Sequence, residues 1–326
     1  MNRAWPTLRC RLLGTIIGFT LLSLPAFADQ PRPIPRIGVL VGVANSPIEE
    51  GVRDGLRELG YTEGENIVID WRRPVGGNEE RSLAADLVRS KVDLIVAVNT
   101  AAARAALETT TTIPVVFTSG DPVASGLAAS LAKPGKNGTG VSIVSTELYP
   151  KRLEYLHWLV PRARRIAFLM NSSNPIVPIQ LEATQRAALT LGLQLVLLDA
   201  RNETELGTVL RALRRGTADG FILSSDSLFR LNRSKVVQAI RKSRLPAIFP
   251  YPDYADDVLM CYGPNIRDVG RKMAAYVDKI LKGAKPADTP IEQISKYEFV
   301  INLRVARELG LQVPQDLLLR ADEVIR

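Results

Sequence analysis

The feature that most constrains the fold of this chain is an internal repeat of strand and helix units. Short runs rich in Val and Ile alternate with helical patterns, which is typical of βαβ units and parallel sheets. Three landmarks recur 132, 126 and 132 residues apart. They are Leu59-Gly60 with Leu191-Gly192, Val92-Asp93 with Ala218-Asp219, and the strands at 113–117 and 245–249. Because all three recurrences stay nearly in register, the sequence predicts two equivalent α/β lobes.

The predicted elements follow the same order in each half. Strands are predicted at 36–43, 66–71, 92–98, 113–118, 139–144, 165–170, 194–198, 219–223, 245–249, 258–262 and near 297. Helices are predicted over 47–60, 79–90, 100–108, 179–191, 203–214, 234–244, 266–281 and near 309. The part after Val258 is too short for a third lobe, so it should complete both sheets and cross between them more than once.

The predicted fold class is therefore α/β, with two doubly wound parallel-sheet lobes joined by a multi-strand hinge. We expect residues 35–146 and 252–284 to form the first lobe. Residues 147–251 and 285–326 should form the second.

The N-terminus has the pattern of a cleaved signal peptide. A basic start containing Arg3, Arg9 and Arg11 is followed by an apolar run that ends at Ala26-Phe27-Ala28. The run is shorter than the roughly 20 residues that a membrane-spanning helix needs, which disfavours an uncleaved anchor. Cys10 precedes the run, so it does not have the position of a lipidated cysteine. We expect cleavage after residue 28 and a periplasmic location.

Composition argues against several classes of function. Removing residues 1–28 takes away three arginines and no acid, which lowers the formal charge from +8 to +5. The remaining basic residues form no single dense cluster of the kind that binds nucleic acid. The only histidine, His157, lies in a helical stretch, so neither a catalytic triad nor a histidine-rich metal site is expected. We predict no enzyme activity, no cofactor, no metal and no nucleic-acid partner, and we expect a monomer without an intramolecular disulfide.

The candidate ligand-binding residues follow the predicted strands, because ligands of open parallel sheets bind beyond the carboxyl ends of the strands. Helix starts and hydroxyls there suit a carboxylate, while Asp121 or Asp226 would suit an ammonium group. Tyr251 and Tyr262 are the aromatic candidates, with hinge or core packing as the alternative role. Capping of helices is the alternative for Asn99, Thr100 and Asp226. The complete set is Asn45, Asn99, Thr100, Ser119, Asp121, Ser142, Asn171, Asn174, Asp226, Tyr251 and Tyr262.

Several sequence blocks resemble a known family. They are GENI (64–67), GDPV (120–123), KPGKNGTG (133–140), YGP (262–264), ILKGAKPAD (280–288), FVINL (299–303) and ADEVI (321–325). In combination they resemble the ABC-transporter substrate-binding family that includes the tryptophan-binding lipoproteins of Gram-positive bacteria. This resemblance implies a type I periplasmic-binding-protein fold, an ABC permease in the inner membrane as partner, and ligands that include aromatic amino acids. The chain differs from the lipoprotein members in lacking a lipobox.

Two functions remain open from the sequence. The first is the periplasmic solute-binding component of an ABC importer, which captures an amino acid or a related carboxylate metabolite by hinge closure. The second is a sensor that presents its closed form to a membrane signalling partner. An enzyme with two Rossmann-like lobes is disfavoured because no GxGxxG follows the first strand. A repressor effector domain is disfavoured because no helix-turn-helix precedes Arg36.

Overall fold

Two β-sheets organise the chain between Ile34 and Arg326, which form one unit. The computed structural model describes residues 1–2, 33–42, 46–73, 79–143, 145–213 and 216–326. The predicted signal peptide therefore lies outside the described residues, apart from its first two positions, and its cleavage stays a prediction.

Thirteen strands and eleven α-helices are formed by the described residues. The strands are β1 (Arg36–Leu40), β2 (Val68–Arg72), β3 (Leu94–Val98), β4 (Val115–Ser119), β5 (Gly138–Ser142), β6 (Arg165–Met170), β7 (Gln194–Asp199), β8 (Gly220–Leu223), β9 (Ala247–Phe249), β10 (Met260–Gly263), β11 (Glu292–Gln293), β12 (Glu298–Asn302) and β13 (Glu323–Ile325). The helices are α1 (Pro47–Glu58), α2 (Glu80–Arg89), α3 (Thr100–Thr109), α4 (Ser145–Leu159), α5 (Val177–Thr190), α6 (Glu203–Ala212), α7 (Ser227–Leu231), α8 (Arg233–Ser243), α9 (Ile266–Leu281), α10 (Leu303–Leu309) and α11 (Gln315–Leu318). None of these helices is both long and apolar enough to span a membrane.

Each sheet is the framework of one lobe. The first has the order β11-β5-β4-β3-β1-β2 and is parallel throughout. The second has the order β13-β12-β10-β9-β8-β6-β7, and only its β10–β12 pair is antiparallel. The predicted fold class, two parallel-sheet lobes, is confirmed.

Helices cover both faces of each sheet, which explains why the central strands are apolar without alternation. In the first lobe, α1 and α9 pack on one face and α2 and α3 on the other. Two glycines allow α1 and α9 to approach closely, because a β-carbon on Gly51 would lie 2.0 Å from the Arg267 carbonyl oxygen and one on Gly270 would lie 2.3 Å from that of Ile48. The first turn of α9 is thereby held beside the start of α1, where the two lobes meet.

The chain passes between the lobes three times. The crossings lie between β5 and α4, between β10 and α9, and between β11 and β12. The predicted multi-strand hinge is thus present.

The sheet memberships differ from the predicted lobe boundaries at two places. Strand β10 pairs with β9, so the end of the 252–263 segment belongs to the second sheet rather than the first. Strand β11 pairs with β5, so the segment near 292 belongs to the first sheet rather than the second. The local patterns could not reveal this, because the crossing at Pro264 is short and resembles any other strand-to-helix connection.

Candidate ligand-binding site

A cavity of about 100 Å³ lies where the carboxyl ends of the two sheets face each other. The first lobe contributes residues that follow β1, β3, β4 and β5, together with the first turns of α1 and α9. The second contributes residues that follow β6, β8 and β9. This is the position at which parallel sheets bind ligands.

Hydroxyls and a helix N-terminus form the wall of the first lobe. Thr100, the first residue of α3, has its hydroxyl 3.0 Å from the Ser119 hydroxyl. The same Thr100 oxygen accepts a hydrogen bond of 3.3 Å from the Gly120 backbone N–H. Asn99 caps α3 by accepting from the Ala102 N–H at 2.8 Å. The partial positive charge of the helix start makes this wall suitable for an anionic group.

Two further hydroxyls on this wall are buried and have no hydrogen-bond partner among the described residues. The Ser46 side chain is 4% exposed and that of Thr118 is 6% exposed, and both line the cavity. Ser46 precedes the 12-residue helix α1 but makes no side-chain cap to it. Because a buried hydroxyl without a partner costs about 1–3 kcal/mol, this pair points to a polar group that a ligand supplies.

A single carboxylate dominates the wall of the second lobe. Asp226 accepts hydrogen bonds from the side-chain amides of Asn174 at 2.8 Å and Asn171 at 3.2 Å. It also caps α7 through the Leu228 N–H at 2.9 Å. Burial raises the pKa of Asp226, while these three donors oppose the shift. No salt bridge to Asp226 occurs among the described residues, and its carboxyl group lines the cavity.

The rest of the described lining is mostly aliphatic and also contains Gln180, Arg230 and the ring of Tyr251. The Arg230 guanidinium lies 4.5 Å from the centroid of the Tyr251 ring. Arg230 is itself held by two hydrogen bonds to Asp253, of 2.9 and 3.0 Å. The aliphatic lining consists of Val41, Ile48, Val98, Ile143, Ile176, Ile266 and Val269. These side chains suit an apolar ligand moiety.

The two lobes touch at the edge of the cavity. The Asn99 side-chain amide donates a hydrogen bond of 3.2 Å to the Ser227 hydroxyl of the other lobe. Gly42 lies beneath the same serine, because a β-carbon at position 42 would stand 2.6 Å from the Ser227 oxygen. Asn99 has a φ of 110° and a ψ of 167°, a backbone conformation that residues other than glycine rarely adopt. The strain at Asn99 therefore coincides with the contact between the lobes.

Six of the predicted site residues line this cavity: Asn99, Thr100, Ser119, Asn174, Asp226 and Tyr251. Asn171 contacts Asp226 from behind and lines a neighbouring cavity. Asn45 lies outside the described residues.

Three other predicted residues are placed elsewhere. The Asp121 carboxylate accepts from the Ala124 N–H at 2.9 Å and so closes a local turn. Ser142 is buried at the end of β5, where its carbonyl accepts from the Ile294 N–H. Tyr262 packs edge-on against Tyr155, in the aromatic cluster of the second lobe. None of the three lines the cavity.

Ser46 lies in the segment after the first strand that the sequence placed near the site, although Asn45 was the residue chosen from it. Sequence reasoning missed other lining residues, among them Thr118, Gln180 and Arg230. Thr118 and Arg230 lie inside a strand and a helix, where no local pattern distinguishes them. The described residues contain no cluster of His, Cys, Asp and Glu that could hold a metal ion. His157 lies within α4, as its helical context predicted.

The protein has two parallel-sheet lobes, and the chain passes between them three times. The lobes enclose a polar and aliphatic cavity. These features define a substrate-binding protein of the type I periplasmic fold. The chain belongs to the family of ABC transporter substrate binding proteins, whose model matches residues 37–325. The resemblance noted in the sequence is thereby confirmed.

Individual relatives agree with this assignment. The chain is 28% identical over 267 residues to a tyrosine-binding protein of Clostridioides difficile (strain R20291), covering 81% of this chain and 76% of that one. It is 27% identical to the ABC domain from Streptococcus pneumoniae in complex with L-Trp, with a TM-score of 0.81 over 90% of this chain and all of the other.

A third relative distinguishes two arrangements of the lobes. The ligand-free, open structure of a substrate-binding protein with adhesive properties from Clostridium difficile is also 27% identical, covering 90% of this chain and 99% of that one. Its TM-score is nevertheless only 0.61. Because identity and coverage match those of the L-Trp complex, sequence divergence does not explain the lower score. The present structure therefore resembles the ligand-bound arrangement more closely than the open one.

Proposed function

We propose that this protein is the periplasmic receptor of an ABC importer and that it captures an α-amino acid with an apolar or aromatic side chain. The observation that carries the proposal is the division of polar groups across the cavity. One lobe offers hydroxyls and helix N-termini. The other offers the Asp226 carboxylate, which has no salt bridge among the described residues, whereas its Arg230 is already bound to Asp253. An α-amino acid carries one group of each complementary charge.

The division of polar groups also gives the ligand an orientation. Its carboxylate would bind the first lobe at Thr100, Ser46 and Thr118, where two buried hydroxyls lack partners. Its ammonium group would bind Asp226 of the second lobe. Its side chain would then lie among the aliphatic residues and Tyr251. Each lobe would hold one end of the ligand, so binding would favour the closed state.

The relatives support this class of ligand, because two of them bind tyrosine and tryptophan. After export through the predicted signal peptide at 1–28, the closed monomer would dock on an ABC permease in the inner membrane.

Isothermal titration of the purified mature chain with each of the 20 amino acids tests the proposal. We expect at least one apolar or aromatic amino acid to bind with a Kd in the micromolar range or tighter. Mass spectrometry of material released from the purified protein identifies a ligand that the panel lacks. Absence of binding across the panel, together with a released ligand that is not an amino acid, would refute the proposed ligand class. Uptake of the bound amino acid by cells with and without the gene tests the importer role.

A further inference from the structure

A second cavity of about 730 Å³, the outer cavity, adjoins the first, the inner cavity, and shares part of its wall. Glu80 and Ala101 line it from the first lobe, and the starts of α6, α7 and α8 line it from the second. Four residues line both cavities: Asn99, Asn174, Asp226 and Ser227. The hydrogen bond between Asn99 and Ser227 belongs to this common wall. A ligand in the inner cavity that reaches Asp226 therefore also reaches the edge of the outer one.

The basic side chains of the outer cavity already have acidic partners. The pairs are Arg201 with Glu205, Arg233 with Asp253 and Asp257, and Lys235 with Glu203. Two carboxylates that line this cavity, Glu80 and Asp226, form no salt bridge among the described residues. They project from opposite lobes, Glu80 from the first turn of α2 and Asp226 from the cap of α7.

Glu80 and Asp226 line the same cavity from opposite lobes, and the charge of Asp226 acts on Glu80. Burial raises the pKa of Glu80, and the nearby charge of Asp226 raises it further. Bringing two like charges into a partly buried space costs free energy, and a cation between them converts that cost into attraction. Closure of the lobes brings Glu80 and Asp226 to the same cavity. When no cation is bound, the repulsion between the two carboxylates therefore destabilises the closed state.

We propose that Glu80 is a specificity-determining residue, which shares the ligand's ammonium group with Asp226 across the cleft and so makes closure depend on that positive charge. This inference rests on the proposed function, because it concerns the same site and the same ligand class. The unpartnered hydroxyls of Ser46 and Thr118 anchor the carboxylate deep in the inner cavity. The ammonium group then lies on the wall common to both cavities, within the field of both carboxylates.

The inference makes recognition of the ligand's ammonium group depend on a carboxylate from each lobe. A carboxylic acid with the same side chain but no ammonium group fills the inner cavity equally well. It leaves Glu80 and Asp226 facing each other without a cation, so it binds weakly and closes the lobes poorly. The protein thereby selects amino acids over the corresponding desamino acids.

Titration calorimetry with L-tyrosine, L-tryptophan and their desamino analogues, 3-(4-hydroxyphenyl)propionate and indole-3-propionate, tests this inference. In Glu80→Gln we expect amino-acid affinity to fall about 10-fold, while desamino affinity stays constant or rises, as for the loss of one charge partner. The control Glu65→Gln removes the same charge from an exposed position of the first lobe. It should change either affinity by less than about two-fold, the usual range for an isolated surface charge. Equal weakening of both ligand types in Glu80→Gln, or no change in either, would overturn the inference.

Small-angle scattering of the ligand-free proteins gives a readout that needs no ligand. Without Glu80 the closed state loses its like-charge penalty, so ligand-free Glu80→Gln should have a smaller radius of gyration than the wild type. The charge-conserving variant Glu80→Asp should resemble the wild type. If neither amino acid binds the wild type, the proposed ligand class is in doubt, and scattering still decides the role of Glu80. An unchanged radius of gyration in Glu80→Gln would refute it.

Discussion

The two lobes are alike at the amino ends of their strands and different at the carboxyl ends. In the first lobe the Asp93 carboxylate accepts a hydrogen bond of 2.7 Å from the Arg36 backbone N–H at the start of β1. In the second, Asp219 accepts from the backbone N–H groups of Arg164 and Arg165, at 2.8 and 2.9 Å. The two aspartates occupy corresponding positions of the repeat and join the first strand of each sheet to a neighbouring one.

The carboxyl ends of the strands carry different side chains in the two lobes. Thr100 and Ser119 line the site in the first lobe, whereas Asp226, with its amide donors Asn171 and Asn174, lines it in the second. The repeat thus keeps the groups that build a lobe and varies the groups that line the cavity. If the ligand is the proposed amino acid, each lobe supplies the partner for one of its two charges, and the closed pair supplies both.

The largest expected effect comes from removing the carboxylate of the second lobe. Asp226→Asn keeps the shape and the helix cap but loses the charge, so affinity for the bound amino acid should fall about 100-fold, in keeping with the 2–5 kcal/mol of a buried charge partner. Calorimetry measures the loss. Asp121→Asn is the matched control, because it also follows a strand but does not line the cavity. Equal losses in the two variants would contradict the assignment of Asp226.

A smaller effect is expected where the lobes meet. Gly42→Ala places a methyl group 2.6 Å from the Ser227 oxygen and so obstructs closure. Affinity should fall about 10-fold, corresponding to the 1–3 kcal/mol that overpacking costs. Scattering with saturating ligand should show a larger radius of gyration than in the wild type. Ser227→Gly in the same chain removes the obstructing atoms and should restore closure. If Ser227→Gly does not restore affinity, Gly42→Ala weakens binding through a local change of the backbone at position 42 and not through the contact with Ser227.

The first lobe should tolerate loss of a single hydroxyl better than the second tolerates loss of its charge. Thr100→Val keeps the side-chain volume and removes the oxygen that contacts Ser119 and Gly120. We expect about a five-fold loss of affinity, corresponding to the roughly 1 kcal/mol of one neutral hydrogen bond. Thermal melting of the ligand-free variant checks that the fold is intact. A loss as large as that of Asp226→Asn would mean that the ligand's anionic group depends chiefly on Thr100.

The smallest expected effects are on stability and come from the aspartates at the amino ends of the strands, where the two lobes are alike. Asp219→Asn should lower the free energy of unfolding by about 1 kcal/mol, and Asp93→Asn by less, because Asp219 accepts from two N–H groups and Asp93 from one. Those N–H groups, that of Arg164 first, hold the pKa of Asp219 below its ordinary value, although burial opposes the shift.

The pH dependence of that difference follows from the sign of the shift. A carboxyl whose pKa is lowered in the folded state stabilises the fold above its unfolded pKa of about 3.9. The contribution disappears as pH falls through the lower folded value. Urea denaturation of wild type and Asp219→Asn should therefore differ at pH 7, and the difference should shrink as the pH falls below about 3.9 and through the lower folded value. A constant difference across this range would mean that packing, not charge, makes the contribution of Asp219.

The fold was largely predictable because its strands are buried runs and its helices have apolar stripes, signals that do not depend on distant contacts. Helix α9 (Ile266–Leu281) begins and ends where its pattern indicated. Strands β11 and β13 have only two and three residues, too few for a pattern. Helix α7 was missed because its five residues follow a strand and resemble a loop.

The site was predictable only as a set of strand ends. Asp121 and Asp226 both follow strands, and the sequence gives no reason to prefer one. The choice depends on which way each turn faces, and α7 decides it, because capping this helix directs Asp226 into the cleft. Glu80 was not found because it begins a helix rather than follows a strand, and the cavity that it shares with Asp226 forms only where the lobes meet.

The three crossings of the hinge also determine how the protein can be made. Neither lobe is a continuous stretch of chain, since α9 and β11 return to the first sheet after most of the second has been formed. A chain truncated before Ile266 lacks the helix that packs on α1 and the edge strand that pairs with β5. The first lobe therefore cannot complete its fold while residues 35–143 are being synthesised. It needs α9 and β11, so we expect the nascent chain to stay incompletely folded until late in synthesis.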